Sequence, residues 1–94
     1  MLISSPKKKY LKARAHSLKP TVIIGQQGLT EAVHKEIEQV LNDHELIKIR
    51  INAENRIEKN EMATHICEQQ QAAFIQLIGH ILVIYRPSPN KKNK

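Results

Sequence analysis

Tryptophan is absent, and Tyr10, Phe74 and Tyr85 are the only aromatic residues in 94. A core without large rings must be aliphatic, built here from Ile, Leu and Val. There is one cysteine, Cys67. That excludes an internal disulfide and the C-x-x-C pairs of zinc and redox sites, and it fits a reducing cytoplasm, the expected location. Cys67 falls on the apolar side of an expected helix and reads as a small buried hydrophobe. No apolar run approaches the ~20 residues of a membrane span. The opening MLISSPKKKYL is not expected to act as a signal peptide, because its charges follow its few apolar residues. A soluble protein without a membrane partner is expected. Length alone gives one domain with a modest core.

Acid is missing from both ends. Residues 1–30 hold Lys7, Lys8, Lys9, Lys12, Arg14 and Lys19 and no carboxylate. Residues 86–94 hold Arg86, Lys91, Lys92 and Lys94, again with none. All nine Asp and Glu lie between, so a net +6 divides into basic ends and a mildly acidic centre. Such segregation suggests an anionic partner met by the ends of the chain. For the closing SPNKKNK, solubility and anion contact are both open readings.

The hydrophobic pattern predicts seven elements. Ser5-Pro6 reads as a cap and first turn of a helix running to about Leu18, stopped by Pro20. Leu11, Ala15 and Leu18 would be its inner side, with Lys8, Lys12 and Lys19 along a second line. A basic helix of this kind suits nucleic acid, a membrane surface or a calmodulin-like partner, though its apolar side is too poor for a membrane anchor. Thr21–Ile24 is a short strand. Thr30 caps a helix to about Asp43, buried through Val33, Ile37, Val40 and Leu41. Leu46–Asn52 alternates, Ile47, Ile49 and Ile51 against Lys48, Arg50 and Asn52. Asn55, with Glu58 three positions on, opens a third helix that ends near Gln69-Gln70-Gln71. Ala73–Ile78 and Ile81–Arg86 flank Gly79-His80, a two-residue hairpin turn with glycine first. ILVIY is apolar on both faces, as a central strand would be. The order α-β-α-β-α-β-β predicts an α/β domain with a mixed sheet. Right-handed crossovers put the second and third helices on one face and leave the first to pack elsewhere.

Two of the three glycines frame G-Q-Q-G, residues 25–28, between the first strand and the second helix. Glycines there let a phosphate backbone approach amide groups at a helix N-terminus, as in the GXXG loop of KH domains. A tight strand-to-helix turn would use the same residues. It is neither the G-x-G-x-x-G fingerprint nor a P-loop. The five histidines include no i, i+4 pair, so no zinc helix is expected. His16 and His44 suit a hydrogen bond at a helix end or turn. No nucleophile elbow or catalytic constellation is present, so neither an enzyme nor a cofactor is expected.

A-H-x-L-K-P at 15–20, G-x-x-G-L-T at 25–30, H-E-L-I-K at 44–48 and I-G-H-I-L-V-I-Y-R-P at 78–87 together resemble the CRM domain (chloroplast RNA splicing and ribosome maturation) in its stand-alone bacterial, YhbY-type form. The resemblance spans about residues 5–87. It implies a four-stranded mixed sheet with helices, similar to the C-terminal domain of translation initiation factor 3. Residues 1–87 would form the RNA-binding domain and 88–94 a basic tail. Bacterial members associate with precursors of the large ribosomal subunit. The resemblance therefore implies an assembly factor on precursor large-subunit rRNA, and a monomer is expected. Its expected RNA contact is Gly25, Gln26, Gln27 and Gly28, with Lys7, Lys8, Lys12 and Lys19, and Lys48 and Arg50 as further candidates. Relatives often carry Lys or Asn where Gln26 and Gln27 stand, so direct charge from the loop is lost. Many also carry a glycine before the alanine that follows Q-Q-Q, which leaves the end of the third helix without a glycine cap. A basic adaptor docking an acidic protein, or a binder of tRNA or other structured RNA, remains an alternative.

Overall fold

The computed structural model describes residues 3–88. Its elements are α1 (Ser5–Ala15), β1 (Pro20–Ile24), α2 (Glu31–His44), β2 (Leu46–Ile51), α3 (Arg56–Gln70), β3 (Ala73–Ile78) and β4 (Ile81–Tyr85). The strands form one sheet in the order β1-β2-β4-β3, with β1 parallel to β2 and β4 antiparallel to both its neighbours. This is the mixed four-stranded α/β sheet expected. Both crossovers, β1-α2-β2 and β2-α3-β3, step the same way across the sheet. One handedness therefore lays both helices on one face.

That face holds the larger core, where Ile37, Leu41, Ala63 and Ile66 of the helices meet Val22, Ile24, Ile47, Ile49, Ile51, Leu82 and Ile84. On the other face Leu11 and Ala15 of α1 pack on Leu46, Ala73, Ile75 and Val83. β4 has helices on both sides of it, which is why its Leu82, Val83 and Ile84 are all fully buried. Gly79 takes φ +58 while His80 stays at negative φ, as a glycine-first hairpin turn requires.

Helix ends differ from expectation in instructive ways. The cap of α1 is Ser4, whose hydroxyl accepts from the Lys7 N–H, and the helix stops at Ala15 instead of Leu18. Leu18 is more than one-third exposed and lies outside the core. Only Leu11 and Ala15 are buried along α1, so nothing apolar holds a further turn down. Thr30 and Asn55 cap α2 and α3 as expected. At the end of α3, Gln71 itself adopts the left-handed conformation (φ 52, ψ 44) that a glycine would take. Its N–H and that of Ala72 reach back to Glu68 and Cys67 carbonyls, which offsets the strain of about 1 kcal/mol.

Arg86 corrects the picture of a uniformly basic C-terminal end. Its guanidinium donates to the Gln70 carbonyl (3.0 Å), to Gln70 Oε1 (3.3 Å) and to Asn42 Oδ1 (2.9 Å). It joins the C-terminal ends of α2 and α3 and is not offered to a partner. Ser88 is fully buried. Its Oγ donates to the Asn42 carbonyl (2.7 Å) and its N–H to Glu45 Oε2 (2.7 Å). The folded body therefore runs through Ser88, one residue past the boundary expected at 87. The rest of the expected tail, 89–94, lies outside the described residues.

Candidate nucleic-acid interface

All nine carboxylates lie in α2, in α3 and in the loops that flank β2. Residues 3–30, β2 and residues 71–88 contain none. The fold turns this linear pattern into two electrostatic sides. The α2/α3 layer is acidic. The opposite side, made of α1 and the sheet face it partly covers, is basic and free of carboxylates.

The G-x-x-G loop sits at the end of the sheet where β1 stops. Gly28 N–H donates to the Gly25 carbonyl (3.1 Å), closing a four-residue turn with Gln26 and Gln27 at its exposed centre. Both glutamines have negative φ, as a type I turn requires. The turn consumes the Gly28 amide and leaves the Gln26 and Gln27 backbone N–H groups outside its own hydrogen bond. The two glycines are not equivalent. Gly28 has φ +73, which L residues rarely adopt, so the fold needs it. Gly25 has no positive φ, and a Cβ there would meet nothing within 4 Å. Glycine at 25 is therefore not a demand of the fold. Gly28→Ala should cost about 1 kcal/mol of stability, and Gly25→Ala should leave the thermal midpoint within about 2 °C of the parent; a calorimetric scan of each checks this.

The expected RNA-contact residues do not form one cluster. Lys8 lies 5.8 Å over the Phe74 ring and Lys7 5.0 Å over Tyr85. Both rings belong to the end of the sheet remote from the loop, since Tyr85 and Ala73 pair with each other and Tyr85 with Leu46. From strand rise and spacing, Gly25 and Lys8 stand about 20 Å apart. Lys12 and Lys19 are exposed at the α1 end. Lys48 and Arg50 occupy the ground between, on the face of β2 that α1 shares. Lys48 Nζ donates to the Leu18 carbonyl (3.0 Å), so it also tethers the chain after α1. Arg50 is exposed, its Nε donating to Asn52 Oδ1 (3.0 Å). Arg14, which was not among the expected contacts, points along the same side, where it donates to the exposed Tyr10 hydroxyl (3.2 Å). That bond holds its guanidinium pKa above the usual value.

The remaining chemistry is spare. Burial pushes the Cys67 thiol up to about 11, so it is protonated at neutral pH and packs as a hydrophobe. His16 and His44, expected to make a hydrogen bond at a helix end or turn, are exposed at helix ends, and the ring that bonds is that of His80, whose Nδ1 lies 2.9 Å from the Ile51 carbonyl. Among the described residues no three His, Cys, Asp or Glu side chains are grouped to hold a metal ion, and no helix is long and apolar enough to cross a membrane.

Comparison with known proteins agrees with this architecture. A relative from Haemophilus influenzae, named as an RNA-binding protein, is 47% identical over 90 residues, covering 96% of this chain and 91% of its own. One from Pseudomonas aeruginosa, named as a probable RNA-binding protein, is 39% identical over 93 residues, covering 97% and 89%. A Staphylococcus aureus protein solved in solution superposes with a TM-score of 0.82 at 34% identity, over 93% of this chain and 91% of that one. The model of the CRS1 / YhbY (CRM) domain matches residues 3–86, and this chain belongs to that family.

Proposed function

We propose that this protein binds structured RNA through its carboxylate-free side, and that its target is precursor rRNA of the large ribosomal subunit, on which it acts as an assembly factor. The observation that carries this reading is the separation of charge by the fold. α1 and the sheet face it adjoins present cations and carry no carboxylate, seven of the nine carboxylates lie on α2 and α3, and the G-x-x-G loop adds backbone amides at one end of the sheet. A phosphate backbone is the partner such a side suits. The names of the relatives point to RNA independently. The family resemblance supplies the ribosomal target.

Recognition on this reading is by shape and phosphate. The loop offers amides and glutamine side chains, and it stands about 20 Å from Lys8, a distance wide enough to span several phosphates. The test is direct binding of the purified protein to precursor large-subunit rRNA, to small-subunit rRNA and to tRNA at several salt concentrations. The precursor should bind at least about tenfold more tightly than the other two, with affinity falling steeply as salt rises. Equal affinity for all three would remove the ribosomal target and keep the RNA. In lysate, association with a large particle that survives nuclease would favour the acidic-protein adaptor instead.

A further inference from the structure

We propose that the open half of the sheet is a packing surface for the bases of a short unpaired RNA segment, seated on three isoleucines arranged around Arg50. This rests on the RNA reading above and names the kind of RNA that the centre of the site takes. Strand register sets the row. Ile23 of β1 pairs with Arg50 of β2, Arg50 with Ile81 of β4, and Ile81 with Ile78 of β3. Paired residues project to the same face, so these four side chains form one line across all four strands. Their neighbours in each strand, among them Ile24, Ile49 and Leu82, point the other way into the main core. The row is thus on the α1 face, but α1 covers only the far half, over Leu46, Ala73, Ile75 and Val83.

Ile23 is 61% exposed and Ile78 is 66% exposed, while Ile81 is half-buried and Arg50 exposed. Two large β-branched side chains in the open contribute little to folding. They flank a cation, on a sheet whose strands carry no carboxylate. A protein surface docking here would have to bring its own acid to pair Arg50. A nucleic acid supplies both complements at once, an apolar base face and a phosphate. The guanidinium plane, held at Nε by Asn52, is itself a stacking surface for a base. The row is also continuous with the phosphate path. Ile23 lies two residues before Gly25, and Lys48 two residues before Arg50 on the same face. Ile23 to Ile78 spans three strand spacings, about 14 Å, room for two or three bases. Paired RNA keeps its bases stacked inside the helix and cannot use the row. Unpaired nucleotides can.

The experiment compares the wild-type protein with Ile23→Ser/Ile78→Ser on two probes: an unstructured C/U strand of about a dozen nucleotides, and a duplex of equal length. Both positions are exposed, so the variant should melt as wild type. Its affinity for the strand should fall about tenfold, with an unchanged salt slope and duplex affinity within about twofold. Unchanged strand affinity, or an equal loss on both probes, would overturn the proposal and leave RNA binding standing. So would a wild-type dimer that the variant abolishes, because the row would then be a self-association surface. Binding of neither probe by a wild-type protein that binds precursor rRNA would also overturn the proposal, and failure to bind that rRNA as well would bring down the RNA reading itself. Should the variant fold poorly, photo-crosslinking of 4-thiouridine strands to the wild type decides. Adducts at Ile23 or within 78–81 are expected, and adducts confined to α1 would overturn the proposal.

Discussion

Replacing Lys8 and Lys12 together by Glu lowers RNA affinity by about thirtyfold to a hundredfold at physiological salt, with little change in stability. The magnitude follows from what each charge does. A lysine that neutralises a phosphate releases condensed counterions, and its contribution grows as salt falls. Reversing two such charges removes two attractions and introduces two repulsions, in all about 2–3 kcal/mol. The fold should tolerate the change, because α1 is held by Leu11 and Ala15 and not by its lysines. The Lys8 contact over Phe74 is the one structural loss, worth about 0.5–1 kcal/mol at a partly exposed site. Replacing the same residues by Gln separates charge from shape: the slope of log affinity against log salt should flatten by about 2. Binding curves over a salt series read both. Wild-type affinity in the Glu variant would mean that RNA is held at the loop end alone.

Arg86→Ala is expected to destabilise the protein by about 3 kcal/mol, lowering the thermal midpoint by roughly 15 °C. The guanidinium bridges Gln70 on α3 and Asn42 on α2, two helices that also meet through side-chain packing. Gln70, itself buried, also donates to the His34 carbonyl (2.9 Å), so the bridge is part of a network. Removing the cation strands the Gln70 carbonyl and amide oxygen together, and such groups cost most when left unpaired. It also loosens the segment that holds Glu45 at φ +65, through the Arg86 N–H to Glu45 carbonyl bond (2.9 Å). Arg86→Lys should recover little, since one ammonium cannot reproduce the planar fork. Thermal melts of the two variants test this. An unaltered midpoint would return Arg86 to the pool of basic residues available to a partner.

The contrast between these two predictions shows where the sequence stops speaking. Lys8 and Lys12 could be assigned to a solvated face from spacing alone, because helical periodicity fixes which side of an element a residue takes. The same local rules placed Thr30 and Asn55 as caps, Ile47, Ile49 and Ile51 in the core, ILVIY at the centre of the sheet and the G-x-x-G loop between β1 and α2. Those features depend on neighbours within a turn or two. Arg86, by sequence, is one more cation of a basic C-terminal end. Its partners lie 16 and 44 positions earlier in the chain, at a distance no local pattern encodes. Ser88 is held by equally distant partners, the Asn42 carbonyl and Glu45 Oε2. Strand register is equally non-local. It alone places Ile23, Arg50, Ile81 and Ile78 in one line, and it alone puts the glycine loop and the first helix at opposite ends of one basic side. Local pattern was enough for the elements, most of the core, the segregation of charge along the chain and the family. Which cations are offered and which are spent on the fold depends on contacts between residues brought together by strand pairing and helix packing, and these emerge only in three dimensions.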